Sequence, residues 1–345
     1  MENPVLVDVL RSSVTESRHR GAIAVIDSEG TTVLSIGDVD EPVFPRSAVK
    51  AIQAIPLLVS GAADRYGLND AEIALACASH SGEHLHAQTA ASMLAKAGRD
   101  GNCLECGTHW PMGDPAARQL AAEGGQPSAL HNNCSGKHAG FVCLACALDA
   151  DPAGYVREDH VVQESVRAAL EELTGASHTA DHRGIDGCSI PTYAVPLTSL
   201  AYGFAKFGTG THMSADYARA AARIRSAVAA NPFMVAGTGR FDTRVMEALG
   251  TSAFLKTGAE GVYCAAFPEL GFGVAIKCDD GAGRAAEVMM ASIIRRYLRL
   301  DEAQDALIAS LERPVLRNWN GIEVGNLRPA GALAQERGLA AERAA

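Results

Sequence analysis

The chain of 345 residues has no long apolar run, few aromatic residues and no excess of positive charge. No apolar stretch reaches the roughly 18 residues that a membrane-spanning helix needs, so we expect no membrane partner. The formal net charge is −10. Nucleic acid is therefore not an expected partner, because phosphate binding needs a basic surface. The N-terminus lacks a basic segment followed by an apolar run, so we expect no signal peptide.

The cysteines do not form a disulfide framework. There are nine of them, an odd number, and they are scattered along the chain. This usage predicts free thiols in a reducing cytoplasm, where some of them could bind metal. The apolar fraction of 48% and the charged fraction of 20% indicate a globular protein, and the length is sufficient for a sizeable core.

Strand patterns occur at both ends of the chain. Residues 21–38 predict a hairpin that turns at 27–30, and residues 251–280 predict three consecutive antiparallel strands. Between about 70 and 250, several segments have the 3.6-residue apolar spacing of helices, and a long helix is predicted after residue 282. We expect an α+β fold in which one antiparallel sheet, built from both chain ends and packed by the terminal helices, lies beside an all-helical region.

The same pattern predicts a single domain over residues 1–330. Its sheet subdomain takes in about 1–60 and 250–330, and its helical subdomain about 61–249. The Ala-rich, charged segment 331–345 is predicted to be a frayed tail.

Three short motifs carry candidate chemistry. Ser47 stands three residues before Lys50 at the start of an apolar helix, Ser79 begins the segment "SHSG", and Lys256 begins "KTG". The order S-x-x-K, then a serine motif, then K-T-G is that of serine β-lactamases and penicillin-binding proteins. Serine needs a base to act as a nucleophile, and a lysine can serve only when burial or a second cation keeps it neutral.

A plain structural role for Ser47 is also available, since serine is a preferred helix N-cap and Pro45 suits a helix entry. Lys50 is poorly placed on so apolar a helix unless it faces a polar cavity. Together with the K-T-G motif, this favours catalysis. The chain has Ser79-His80-Ser81 where a β-lactamase has Ser-Asp-Asn, which argues against an antibiotic hydrolase.

Two polar segments contain further candidates. "HNNCSGKHAGF" and "GIDGCSIPTYAVPL" carry Cys134 and Cys188. By spacing alone, buried thiols are favoured over zinc ligands, because two sulfurs do not complete a four-coordinate site. The cluster of His80, His84 and His86 lacks the Glu-His pattern of zinc proteases, so solvent-facing or capping histidines are expected there.

The fragments "FPRSAVKAIQAIPL", "ASHSGE", "HNNCSGKHAGF", "GIDGCSIPTYAVPL", "NPFMVAGTGRFDT" and "KTGAEGVY" resemble the rhizobial-type (class 3) L-asparaginases. The resemblance extends over residues 5 to about 325. It implies a serine β-lactamase-like fold, hydrolysis of L-asparagine to L-aspartate and ammonia, and a homodimer.

The resemblance also implies two serine–lysine pairs. Ser47 corresponds to the nucleophile with Lys50 as its partner, and Ser79 with Lys256 corresponds to a second pair. In this prediction neutral Lys50 accepts the Ser47 proton, and the second pair protonates the leaving ammonia. Ser79 remains an alternative nucleophile.

A metal site, usually zinc, is implied at Cys134, Lys137 and Cys188, with one ion per chain and water in the remaining place. A lysine ligand must be neutral to donate its lone pair. The zinc is expected to orient substrate or fix loops, and not to activate water.

Five further residues are predicted to contact substrate: Arg46, Glu83, His138, Asp186 and Ala259. Asp186 could also support the metal ligands, and the Ala259 N–H is expected in the oxyanion hole with that of Ser47. Two alternatives stay open: a β-lactamase-like hydrolase acting on other amides or esters, and a non-catalytic binding protein with the same fold.

Overall fold

The structure is a computed structural model that describes residues 2–334. The predicted tail lies largely outside these residues. Its first part is packed, because residues 331–333 form a 3₁₀ turn in which Leu333 is buried.

The strands within the described residues are β1 Val5–Arg11, β2 Val14–Asp27, β3 Thr32–Ile36, β4 Pro42–Val43, β5 Arg183–Ile185, β6 Pro191–Tyr193, β7 Val195–Pro196, β8 Phe254–Thr257, β9 Val262–Phe267, β10 Phe272–Cys278, β11 Val315–Arg317 and β12 Glu323–Pro329. The α-helices are α1 Lys50–Gln53, α2 Ile55–Val59, α3 Ala62–Arg65, α4 Asp70–Ala76, α5 His84–Lys96, α6 Asp114–Ala122, α7 Ser135–Ala147, α8 Val161–Thr174, α9 Leu197–Thr209, α10 Ala215–Ala230, α11 Pro232–Ala236, α12 Phe241–Leu249, α13 Gly283–Tyr297 and α14 Glu302–Glu312.

The main sheet joins both ends of the chain, as predicted. Its strand order is β11-β12-β1-β2-β10-β9-β8, with β3 also paired to β2, and every pairing is antiparallel. The predicted hairpin of β2 and β3 and the three consecutive strands β8, β9 and β10 are confirmed. So are the mixed architecture and the long helix α13.

Helices cover both faces of the sheet at β10. Gly273 to Ile276 are all buried, and because side chains alternate along a strand, both faces must be covered. Helices α9 and α13 both contact β10. A Cβ on Gly273 would lie 1.9 Å from the Ala201 carbonyl oxygen, so glycine is needed for α9 to pack this closely. Helix α9 was not predicted, and it covers the sheet although it lies within the predicted helical region.

The predicted helices of the middle region are confirmed as α4, α5, α7, α8 and α10. Helix α7 packs against α4 and α5 and is buried from Ser135 to Ala145. Because α7 is apolar on all sides, it is a core helix of this region. Its N-terminus carries the segment "CSGKH", and the packing therefore positions Lys137 and His138 deep in the protein.

The predicted helix from Ser47 is wrong in its detail. Residues Arg46–Val49 form a 3₁₀ turn, α1 and α2 follow as separate short helices, and Ser47 makes no capping hydrogen bond. The N-cap position belongs to Pro45. Pro56 lacks an N–H, so a single helix could not keep its hydrogen-bond ladder through this point.

Candidate active site

Lys50 is the centre of a buried polar cluster. None of its surface is exposed, and its Nζ lies 2.5 Å from the Ala78 carbonyl oxygen, 2.9 Å from Ser79 Oγ and 3.1 Å from Cys134 Sγ. Three partners match the three donors of an ammonium group. The hydrogen bond thus joins Lys50 to Ser79, whereas the sequence predicted a partnership with Ser47.

Ser47 lies beside this cluster in the turn between β4 and α1. It is half-buried, and its hydroxyl has no hydrogen-bond partner within residues 2–334. Arg46, the residue before it, has a φ of 51°, a left-handed conformation that is costly for a residue with a side chain. Such strain is typical of functional turns, and it is consistent with a functional role for the turn that carries Ser47.

The K-T-G motif meets this same turn. A Cβ on Gly258 would lie 2.6 Å from the Pro45 carbonyl oxygen and 3.2 Å from the Ala48 nitrogen. Only glycine allows the end of β8 to approach so closely. The structure therefore brings Gly258 against Pro45 and Ala48, one on each side of Arg46 and Ser47, and β8 contacts the same turn.

Lys256 is fully buried on β8. Burial lowers its pKa to about 7, helped by the positive charges of Lys50 and Arg240 and opposed by Asp242 and Cys134. Its Nζ donates to the Thr257 carbonyl oxygen at 2.8 Å. The described residues show no hydrogen bond between Lys256 and Ser79, so the predicted second pair is not formed in this way.

Backbone hydrogen bonds hold the segment Ser79–Ser81 between two neighbouring segments of the chain. The Ser79 and Ser81 N–H groups donate to Val235 and Ala236 at 2.9 and 2.8 Å, and the His80 N–H donates to Asn133 at 3.2 Å. This pairing places Ser79 next to Cys134, which follows Asn133 in sequence. Ser79 is buried and so is less accessible than Ser47.

His80 and His86 are structural and are not solvent-facing, but His86 caps α5 by accepting from the Glu83 N–H at 3.2 Å, and His84 is exposed, as expected. The rings of His80 and His86 are fully buried and stacked, with ring centroids 4.8 Å apart. Burial lowers the pKa of both rings. His80 Nδ1 accepts from the Gly82 N–H, which leaves Nε2 to donate to Ser135 Oγ at 2.9 Å. These hydrogen bonds occupy both ring nitrogens and stabilise the Ser79 segment.

The predicted metal ligands converge. Lys137 Nζ lies 3.0 Å from Cys188 Sγ, all three residues are buried, and the hydrogen bond from Cys188 is the largest influence that lowers the pKa of Cys134. Burial lowers the pKa of Lys137, but the charges of Cys188, Cys134 and Asp186 outweigh it and the net shift is upward. The two sulfurs suit zinc. The raised pKa of Lys137 favours its ammonium form, so zinc binding would have to release a proton from Lys137 as well as from the thiols.

Arg46 and Asp186 form an ion pair, with Nε and Oδ1 2.7 Å apart. Burial raises the pKa of Asp186, but Lys137 and Arg46 outweigh burial and the net shift is downward. The Asp186 carboxylate also accepts from the Gly187 N–H. Asp186 is therefore negatively charged and lies between the turn of Ser47 and Lys137. This position suits either of its predicted roles, contact with substrate or support of the metal ligands.

His138 is fully buried beside Lys137, and burial lowers its pKa. Tyr155 accepts from the Glu105 N–H, and its hydroxyl lies 2.6 Å from His138 Nδ1. If the hydroxyl donates to Nδ1, the neutral ring carries its proton on Nε2. That nitrogen has no partner among the described residues. Tyr155 was not predicted, because it lies in the loop segment "DPAGYVREDH", which carries no recognisable motif.

The last two predicted substrate contacts, Glu83 and Ala259, lie in different parts of the structure. Glu83 accepts from the Thr238 N–H and Oγ1, each at 2.7 Å, and it borders a pocket of about 450 Å³ whose lining does not include Ser47 or Lys50. Ala259 is half-buried after Gly258 and begins the turn into β9. Glu83 thus lines a pocket whose lining does not include Ser47 or Lys50, and Ala259 follows the glycine that contacts the turn of Ser47.

An α+β protein with two buried lysines, two serines and a Cys/Lys/Cys donor set is a candidate serine-dependent enzyme. The family model described as L-asparaginase II matches residues 7–329. The chain belongs to this family, which confirms the asparaginase resemblance and supports an amidohydrolase. No curated protein matched the chain.

Similar solved structures include Mglu, with 15% identity and a TM-score of 0.34 over 77% of this chain and 64% of that one. A β-lactamase (Mb2281c) from Mycobacterium bovis has 14% identity and a TM-score of 0.38 over 85% and 95%. D-alanine carboxypeptidase AmpC from Burkholderia cenocepacia has 13% identity and a TM-score of 0.34 over 85% and 92%. The chain spans less than two thirds of Mglu. At these identities and TM-scores, the similarities carry no argument about the activity of this chain.

Within residues 2–334, no helix is both long and apolar enough to cross a membrane.

Proposed function

We propose that the protein hydrolyses L-asparagine to L-aspartate and ammonia through an acyl-enzyme on Ser47. Family membership supports the amide substrate. The observation that carries the proposal is the contact of the Lys256–Gly258 segment with the turn of Ser47. It brings the strand that carries Lys256, whose pKa burial lowers to about 7, to the turn that carries a half-buried serine, and a serine nucleophile needs such a base.

The contacts favour Lys256 as the base. One of its N–H groups donates to Thr257, and a neutral amine still has a lone pair for the Ser47 proton. Lys50 has three partners, which suit an ammonium ion that stabilises developing negative charge. This reverses the roles that the sequence predicted for the two lysines.

In the first half-reaction, Ser47 Oγ bonds to the carboxamide carbon while its proton passes to Lys256. The C–N bond then breaks, and the proton leaves with ammonia. In the second, water attacks the β-aspartyl ester, the C–Oγ bond breaks, and Ser47 regains a proton. The N–H groups of Ser47 and Ala259 are proposed to hold the oxyanion, and Arg46 and Asp186 to bind the charged ends of the substrate.

Ammonia release from L-asparagine tests this function, with L-glutamine and a chromogenic β-lactam assayed in parallel. We expect ammonia from asparagine. Colour from the β-lactam without ammonia would instead support the alternative hydrolase. Inactivity on all three substrates would exclude the proposed function and favour the binding protein.

We further propose that Cys134, Lys137 and Cys188 hold one zinc ion. When bound, zinc would supply a fixed positive charge that holds the loops of Cys134 and Cys188 together. Replacing either cysteine by alanine should lower zinc content from about one ion per chain to below about 0.2, since fewer than three protein donors bind poorly. Elemental analysis measures this.

Cys264→Ala is the matched control, because Cys264 is equally buried but lies on β9 outside the donor set. Its zinc content should equal that of the parent. Full zinc in the Cys134→Ala and Cys188→Ala proteins would refute the site.

A homodimer and a cytoplasmic location are also proposed, on the resemblance and on the cysteine usage. Sedimentation velocity would detect the dimer, and a single species with the monomer mass would refute it.

A further inference from the structure

Asp242 is a buried carboxylate next to the proposed base. It lies on α12 and is only 1% exposed. A carboxylate so far from water needs partners, because burial without them is costly. Its Oδ1 accepts from the Thr257 N–H at 2.9 Å. The carboxylate therefore holds the backbone at the middle residue of the K-T-G motif.

This hydrogen bond anchors the end of β8 where it meets the turn of Ser47. Thr257 stands between Lys256 and Gly258, and Gly258 abuts Pro45 and Ala48. A shift of Thr257 would therefore move the lysine and the glycine together. Asp242 itself touches neither Ser47 nor any group that we assign to substrate binding.

Charged groups of both signs surround Asp242 and Lys256. The groups that influence Lys256 are Asp242, Lys50, Arg240 and Cys134, with Cys77 and Cys264 close by. Those that share surroundings with Asp242 are Tyr263, Glu287, Arg240 and Arg244. Burial and the charge of Asp242 raise the pKa of Glu287 to about 7. Asp242 is the main anion that faces Lys256.

We propose that Asp242 is a positioning residue, whose carboxylate holds the Lys256–Gly258 segment against the turn that carries Ser47. This inference rests on the proposed function, in which Ser47 and Lys256 react together. It assigns Asp242 two separable effects. The acceptor oxygen fixes the backbone, and the negative charge favours the protonated form of Lys256.

Two variants separate these effects. Asp242→Ala removes the acceptor and the charge, and should lower kcat for asparagine about 100-fold with KM nearly unchanged, because small displacements of reacting groups are this costly. Asp242→Asn keeps an oxygen that can accept from Thr257, and should retain kcat within about tenfold of the parent. In the pH profile of kcat for Asp242→Asn, the acidic limb should move about one unit to lower pH, because the anion that favours the Lys256 ammonium is gone.

Glu287→Gln is the matched control, since it removes a neighbouring half-buried carboxyl that does not bond to Thr257. Its kcat should stay within about twofold of the parent. The inference is overturned if Asp242→Ala keeps parental kcat. It is also overturned if Asp242→Asn loses as much activity as Asp242→Ala with an unmoved pH profile, as a merely structural carboxylate would give.

Amide hydrogen exchange supplies a readout that needs no substrate. The Thr257 and Gly258 amides should exchange faster in Asp242→Ala than in the parent, and remain protected in Asp242→Asn. Unchanged exchange in Asp242→Ala would overturn the inference. If the parent releases no ammonia from asparagine, the proposed function fails and the exchange comparison alone decides on Asp242. If Asp242→Ala does not fold, Asp242→Asn and its pH profile carry the test.

Discussion

Replacing Ser47 by alanine should lower kcat for asparagine by about 10⁴-fold or more, the scale seen when a serine nucleophile is lost. The unfolding temperature should hardly change, because Ser47 is half-buried and its hydroxyl makes no hydrogen bond within the described residues. Ammonia assays and thermal unfolding measure the two effects. A rapidly quenched reaction should show a β-aspartyl adduct by mass spectrometry in the parent and none in Ser47→Ala.

Two comparison variants make this result specific. Ser60→Ala removes an exposed serine after α2 and should keep full activity. Ser79→Ala should lower kcat about 100-fold, because the partner of Lys50 is lost while the nucleophile remains. If Ser79→Ala instead abolishes the adduct and Ser47→Ala retains it, Ser79 is the nucleophile and our assignment is wrong.

Replacing Lys256 by methionine should lower kcat by about 10³-fold and yet stabilise the protein. The pKa of Lys256 falls from 10.5 to about 7 in the folded state. At neutral pH the unfolded chain binds a proton that the folded protein binds only partly, which corresponds to a cost of about 4–5 kcal/mol. Methionine has a similar shape and does not incur this cost. Loss of the attraction to Asp242 offsets part of the gain.

The sign of the pH dependence follows from linkage. Between pH 7 and about 10.5 the unfolded state binds more protons at Lys256 than the folded state, so stability rises with pH over this range. Denaturant unfolding at pH 7 and pH 9 should show this rise in the parent and a smaller one in Lys256→Met. An equal rise in both proteins would show that Lys256 is not neutral in the fold.

Lys206→Met is the control for this prediction. Lys206 is also buried, and burial lowers its pKa, but it lies on α9 and donates to the Glu172 carbonyl oxygen. The Lys206→Met substitution should leave kcat unchanged. Loss of activity in Lys206→Met equal to that in Lys256→Met would indicate a general effect of removing buried lysines.

The sequence predicted the sheet better than the helices. Strands β8, β9 and β10 were identifiable because short apolar runs alternate with Gly, Pro and Asp turns. Helix α9 was missed because its sequence, rich in Gly, aromatic and β-branched residues, resembles neither a good helix nor a clear strand. Its helical state comes from packing on the sheet at Gly273.

The candidate site shows the same division. The motifs identified Ser47, Lys50, Ser79 and Lys256 as chemically unusual, because lysines in apolar segments need a polar cavity. Nothing in their spacing could show that Lys50 would bond to Ser79, since that contact depends on the pairing of residues 79–81 with 235–236. Asp242 lies in the fragment "NPFMVAGTGRFDT" that resembles the family, but nothing in that fragment indicated that its carboxylate would bond to Thr257.

By itself, then, the sequence determined the fold class, the family and the residue types available for chemistry, because periodicity and short motifs are local properties. Only the tertiary structure decided that Lys50 bonds to Ser79, that Glu83 bonds to Thr238 and that Asp242 holds the K-T-G segment. These depend on contacts between residues far apart in the chain. The depressed pKa of Lys256 has the same origin, because burial by surrounding elements, and not the motif, removes the lysine from water.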